Sequence, residues 1–141
     1  MGYTNDQLNA IYERTDGRCH LCSKKLAFIN YGRPRARAAW EVEHSRPRAR
    51  GGTDTPGNRY AACIPCNRGK GAGSTRTVRA YNGRTFAPLS TQRRSEERET
   101  NSLVAGIGGA SLGHAVAGKA GAWIGGLAAA HFGYKHNPDR R

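Results

Sequence analysis

Acidic side chains are scarce in this sequence: 10 Asp and Glu stand against 23 Lys and Arg, a formal net charge of +13. A chain so short of negative charge is a poor match for basic partners and a good one for polyanions. Hydrophobic residues are also few, 37% of the chain, while 19 residues are glycine. Residues 1–73 look like a compact domain but are too few to bury a large core, so a staple is expected. Cysteine is limited to Cys19, Cys22, Cys63 and Cys66. No secretory leader is read at Met1, which argues against a disulfide framework and for a reducing, cytoplasmic setting. An unbroken apolar run of about 20 residues, the length a membrane span needs, is missing too.

The four cysteines form two Cys-x-x-Cys pairs, Cys19/Cys22 and Cys63/Cys66. Paired spacing of this kind suits a structural Zn2+ tetrahedron, with disulfides as the competing reading. His20 lies between two of these ligands and reads as a surface residue. The excess positive charge is spread along the chain: +7 over residues 1–73, +3 over 74–101 and +3 over 102–141. Most of it is arginine, bunched at Arg33, Arg35, Arg37, Arg46, Arg48 and Arg50. The guanidinium fork matches phosphate oxygens, so Arg46, Arg48, Arg50, Arg68 and Lys70 are the expected nucleic-acid contacts.

Local patterns suggest a small α+β fold. Thr4 and Gln7 can form a capping box that opens a helix with Leu8, Ile11 and Tyr12 on one face, ending towards Gly17. Residues 26–31 look weakly extended, and 32–39 form a basic loop. Trp40 to His44 alternates as a strand, with Trp40, Val42 and His44 on one face and Glu41 and Glu43 on the other. Residues 45–57 hold two prolines and Gly51-Gly52, so they read as a long loop. Residues 59–62 return as a second strand, and Pro65 fits the first turn of a helix carrying Asn67, Arg68 and Lys70.

Residues 74–101 read as a polar, basic linker. Residues 102–134 then turn rich in Gly and Ala, and a polar basic tail, 135–141, follows. Small residues recur at Ala105, Gly109, Gly113, Ala117, Gly121, Gly125, Ala129 and Gly133. This helical segment resembles a glycine zipper, whose small-xxx-small pattern lets helices approach closely. Lys119 splits it into arms of about fifteen residues, short of a full span. Membrane association, self-association through 103–134 and a flexible tail are the open readings.

The central constellation is Glu43-His44, Pro47, Gly51-Gly52, Asn58 and Cys63-x-x-Cys66-Asn67-x-x-Lys70. Asn58 lies 14 positions after His44, and Asn67 nine after Asn58. Over residues 8–72 this order and spacing closely resemble the HNH endonuclease family in its zinc-ribbon form. The resemblance implies a ββα-metal finger with a four-cysteine structural zinc site. It implies His44 as general base, Glu43 and Asn67 as ligands of a catalytic metal, and Asn58 as the brace that orients the base. Two positions depart from the family pattern: Glu43 stands where Asp is commoner, and Arg59 where an apolar residue is usual, a change expected to loosen the finger.

The chemistry of these residue types agrees with those roles. A neutral imidazole accepts a proton near pH 7. A carboxylate and an amide are hard oxygen donors suited to Mg2+ or Mn2+, which stabilise a leaving oxygen. The expectation is a metal-dependent endonuclease acting on DNA, with RNA still open as a substrate. The alternatives are a non-catalytic zinc-ribbon nucleic-acid binder, and a nuclease effector or phage protein whose C-terminal segment meets a membrane. An inhibitor or a phage or host partner stays unidentified.

Overall fold

The computed structural model describes residues 2–135, except the side chains of 108, 109, 111–125 and 133–135. The chain divides into two compact units, Met1–Thr91 and Gln92–Arg141.

The first unit begins with α1, Asn5–Glu13, opened by the expected capping box. The Gln7 N–H donates to Thr4 Oγ1 at 3.3 Å, and the Thr4 N–H donates to Gln7 Oε1 at 3.0 Å. Two donors at a helix start are thereby satisfied reciprocally. Leu8 and Ile11 of α1 are buried with Leu21, Leu26, Trp40, Ala61 and Ala62. Tyr12 reaches across to donate to the Leu26 carbonyl at 2.7 Å. Gly17, at φ +61°, closes the turn after α1, where a Cβ would lie 2.5 Å from the Tyr12 ring. A larger residue there meets both left-handed strain and a clash.

Two strands follow, β1 (Trp40–His44) and β2 (Arg59–Cys63), antiparallel, with Trp40 opposite Cys63 and His44 opposite Arg59. A two-stranded ribbon is marginal alone in water. Here it is held by Trp40, fully buried among Tyr12, Phe28 and Tyr31. Helix α2, Ile64–Lys70, leaves β2 directly, with Pro65 in its first turn. The sheet and α2 complete the small α+β arrangement expected from the sequence.

Three local features differ from expectation. Phe28–Asn30 is a 3-10 turn and not extended, because the Asn30 amide donates to the Arg37 carbonyl at 2.8 Å and folds the basic loop back. Arg59 does not leave a gap in the finger. Its carbonyl accepts from Arg14 at 3.0 Å, and its guanidinium lies 5.4 Å from the Tyr3 ring centre. Within the stretch read as a linker, Thr75–Tyr81 forms helix α3. Thr75 donates to the Ser45 carbonyl at 2.9 Å, and Val78 packs on the core.

Helix α4 is assigned over Thr91–Lys135. Within the second unit, a Cβ on Gly106 would lie 3.4 Å from Ala130 Cβ, and one on Gly126 3.4 Å from Ala110 Cβ. Twenty residues of straight helix would separate Gly106 from Gly126 by about 30 Å, so α4 is not one straight rod. These contacts fall at 106, 110, 126 and 130, one position later than the register read from sequence. The side chains of 109, 113, 117, 121, 125 and 133 in that register lie outside the described residues, and so does the 136–141 part of the tail. No helix among the described residues is long and apolar enough to cross a membrane.

Candidate active site

The loop from Ser45 to Asn58 is organised by one side chain. Asn58 Oδ1 accepts from the Arg46 N–H at 2.7 Å, while its amide donates to the carbonyls of Arg46 (3.0 Å) and Thr53 (2.8 Å). An amide that both donates and accepts can tie two turns of backbone together; an ionised acid cannot donate, and a hydroxyl has only one hydrogen to give. The tie brings Gly52 so close to the Arg46 carbonyl oxygen that a Cβ would lie 1.8 Å from it. Glycine at 52 is therefore a steric requirement. Asn58 thus ties this loop together at the point where β1 ends.

His44 stands at the open end of β1, its side chain 13% exposed. Its Nε2 lies 2.6 Å from Asp54 Oδ1. The Asp54 carboxylate also receives Arg48 at 2.6 Å. Arg48 first, then His44, holds the Asp54 carboxyl well below the usual carboxylate range. An ionised carboxylate accepts only, so His44 Nε2 carries the proton and Nδ1 is left as the basic nitrogen. Asp54 was not foreseen. Its one sequence signal is that it is the lone acid between His44 and Tyr60, in a stretch with four arginines.

Glu43 faces the other way, into a closed pocket, with its side chain 1% exposed. Lys70 Nζ lies 2.6 Å from Oε1, and His20 Nε2 touches Oε2. Neither contact has hydrogen-bond alignment, and only the one with Lys70 is between two charges. Burial pushes the Glu43 carboxyl up, but His20 and then Lys70 outweigh it and hold it below its ordinary value. Lys70 also donates to the His44 carbonyl at 3.0 Å, so one ammonium joins Glu43 to the backbone of the neighbouring histidine.

His20 is not a surface residue. It is 1% exposed, stacked on Tyr60 with ring centres 4.6 Å apart. Arg79 of α3 reaches it twice, donating to its carbonyl at 2.8 Å and approaching Nδ1 at 2.9 Å. A guanidinium only donates, so Nδ1 accepts and the proton sits on Nε2, the nitrogen beside Glu43. Burial keeps this imidazole neutral by lowering its pKa. Nothing local in the sequence marks His20 or Arg79, which stand 59 positions apart.

Behind this pocket the four cysteines converge, none in a disulfide, with their sulfurs within 4.8 Å of one another. Cys22 and Cys63 Sγ are 3.8 Å apart. A tetrahedron with Zn–S bonds of about 2.3 Å has edges of about 3.8 Å, so the donor set fits a zinc ion. Hydrogen bonds, to Cys19 first and then Cys63, draw the Cys22 thiol down to about 2, while burial first and then Cys63 push Cys66 up to about 12. A divalent cation relieves that conflict by accepting all four as thiolates.

The residues expected from the sequence to hold a second cation are Glu43 and Asn67. Both line one cleft of about 300 Å³ with His44 and Lys70. The oxygen chemistry fits Mg2+ or Mn2+, although Lys70 already contacts Glu43 Oε1. Asn67 turns its amide towards Glu41 at 3.0 Å, and Arg68 pairs with the same carboxylate at 2.7 Å. Glu41, read as solvated, is thus a partner of α2. Among the expected nucleic-acid contacts, Arg48 and Arg68 are exposed in these ion pairs. Arg46 donates to the Arg50 carbonyl at 2.9 Å. Lys70 is the exception, being buried and not displayed to solvent.

No curated protein and no solved structure matches the chain. Residues 19–73 match the family model described as HNH endonuclease, a stretch that takes in all four cysteines with Glu43, His44, Asn58 and Asn67.

Proposed function

We propose that this protein is an endonuclease that hydrolyses DNA phosphodiester bonds, with His44 as general base. The observation that carries the reading is the oriented His44–Asp54 pair at the mouth of a cleft, inside the stretch that matches the HNH endonuclease model. A zinc ribbon that only binds nucleic acid has no use for an imidazole fixed in this way.

In the proposed reaction His44 Nδ1 takes a proton from a water molecule as its oxygen attacks phosphorus. The P–O3′ bond breaks, and the leaving oxygen takes up a proton from solvent. The products are a 3′-hydroxyl and a 5′-phosphate, the outcome that the family resemblance implies. Asp54 keeps the tautomer and orientation of His44 and stabilises the imidazolium that forms. Asn58 fixes the loop that carries Asp54 and Arg48. A divalent ion, when bound by Glu43 and Asn67, would supply charge neutralisation at the phosphate. Arg46, Arg48, Arg50 and Arg68 place basic charge around the cleft for backbone phosphates, which favours weak sequence preference and strong salt sensitivity.

Binding and cutting are separable here. Fluorescence anisotropy on labelled duplex and gel analysis of the same samples should show that His44→Ala binds like wild type and does not cut. If wild type binds tightly but leaves the duplex intact with Mg2+ and with Mn2+, the zinc-ribbon binder is the better description.

A further inference from the structure

The Glu43 carboxylate is buried, yet one of its oxygens already holds a cation that belongs to the chain. Oε2 is taken by His20, whose ring is fixed by Arg79 and by stacking on Tyr60. Oε1 is taken by Lys70 Nζ at 2.6 Å, with both side chains almost wholly buried. Of the two partners, Lys70 is the more mobile, its one further bond being to the His44 carbonyl at 3.0 Å. Its ammonium sits on a flexible four-carbon stem at the last position of α2, and Gly71, at φ +50°, follows it. Lys70 also lines the cleft that Glu43, His44 and Asn67 share.

We propose that Lys70 is a tethered cation that competes with a divalent metal ion for Glu43, so that the metal binds by exchange. This rests on the reading of Glu43 and Asn67 as metal donors under the proposed function. In the resting protein Lys70 neutralises a carboxylate that burial would otherwise make costly. When the ion binds Glu43, its charge repels the ammonium that sits 2.6 Å from Oε1. The ammonium then moves out along the cleft, towards the side where a backbone phosphate would lie. The exchange accounts for a lysine that is buried in the free protein while standing on the helix that should face nucleic acid. It also makes the ion's affinity lower than the donor set alone would give.

The test is Mn2+ binding to the zinc-loaded full chain without DNA, by calorimetry, for wild type, Lys70→Met, Lys70→Gln and Glu43→Gln. Removing the competitor should tighten Mn2+ binding about tenfold or more, and Glu43→Gln should abolish the site. Equal affinity in wild type and both Lys70 variants would overturn the exchange, as would binding that survives Glu43→Gln. If neither Lys70 variant folds, wild type decides through its lysine ammonium resonances. The solvent-protected Lys70 signal should shift as Mg2+ is added, and a signal unmoved at saturating Mg2+ overturns the proposal. Because no DNA enters these measurements, a protein that fails to cut would still answer them.

Discussion

Glu43 and His44 are neighbours on one strand and live in opposite surroundings. His44 faces an open loop, where Asp54 and Arg48 meet it in an exposed chain of charge contacts. Glu43 faces a closed pocket, where His20 and Lys70 hold it almost without solvent. The alternation of a strand makes this division: adjacent side chains leave on opposite sides, and the two meet one cleft only because β1 ends there. The open half can change partners and meet a substrate. The closed half holds the frame of the resting protein, where Lys70 binds Glu43 and the His44 carbonyl at once.

The most severe break is to remove the element both halves depend on. Stripping zinc from the four-cysteine cluster should unfold residues 1–91, because structural zinc sites supply about 10–16 kcal/mol in small fingers. Far-ultraviolet circular dichroism during chelation checks this. A transition confined to the turn around Cys19–Cys22 would show that the core stands alone.

Lys70→Ala should come next. It leaves Glu43 buried without its counter-charge, at a cost of about 3–5 kcal/mol. Urea denaturation measures that cost. The matching change in the open half, Arg48→Ala, should cost less than about 1 kcal/mol, because its pair with Asp54 is exposed. Equal losses would erase the distinction between the halves.

Asp54→Asn should reverse the order and affect chemistry more than stability. An amide no longer fixes the His44 tautomer, and cutting should fall about a hundredfold while the urea midpoint barely moves. Unchanged cutting would remove Asp54 from the mechanism.

The smallest effect is on acid stability. The Glu43 carboxyl is held below its ordinary value, so its contribution is present above the unfolded glutamate value, about 4.3. It is lost as pH falls through the lower folded value. Urea midpoints measured between neutral pH and pH 3 should therefore fall in wild type. They should fall similarly in Asp54→Asn, because Asp54 is exposed and screened. A flat profile in Asp54→Asn would move the acid-sensitive contact to the open half.

The sequence was legible where residue type and spacing act locally. Thr4 and Gln7 are three positions apart and form the expected box. The two Cys-x-x-Cys pairs converge, and Asn58 ties the loop whose glycines announced it. Legibility failed where the partner is distant and of a common surface type. His20 meets Glu43 across 23 positions, and Arg79 meets His20 across 59. Helix α3 escaped notice because a threonine hydroxyl, one valine and one arginine attach it, with no apolar periodicity. Lys70 was expected to meet nucleic acid at the surface because a lysine at a helix end usually is exposed, and only the fold shows Glu43 beneath it.

The most direct test of the central claim is nicking of supercoiled plasmid by the zinc-loaded full chain with Mg2+ or Mn2+, comparing wild type with folded His44→Ala. Conversion to open circles by wild type alone is the predicted result. Equal conversion by both proteins, or none by either, would contradict His44 as the base of a nuclease.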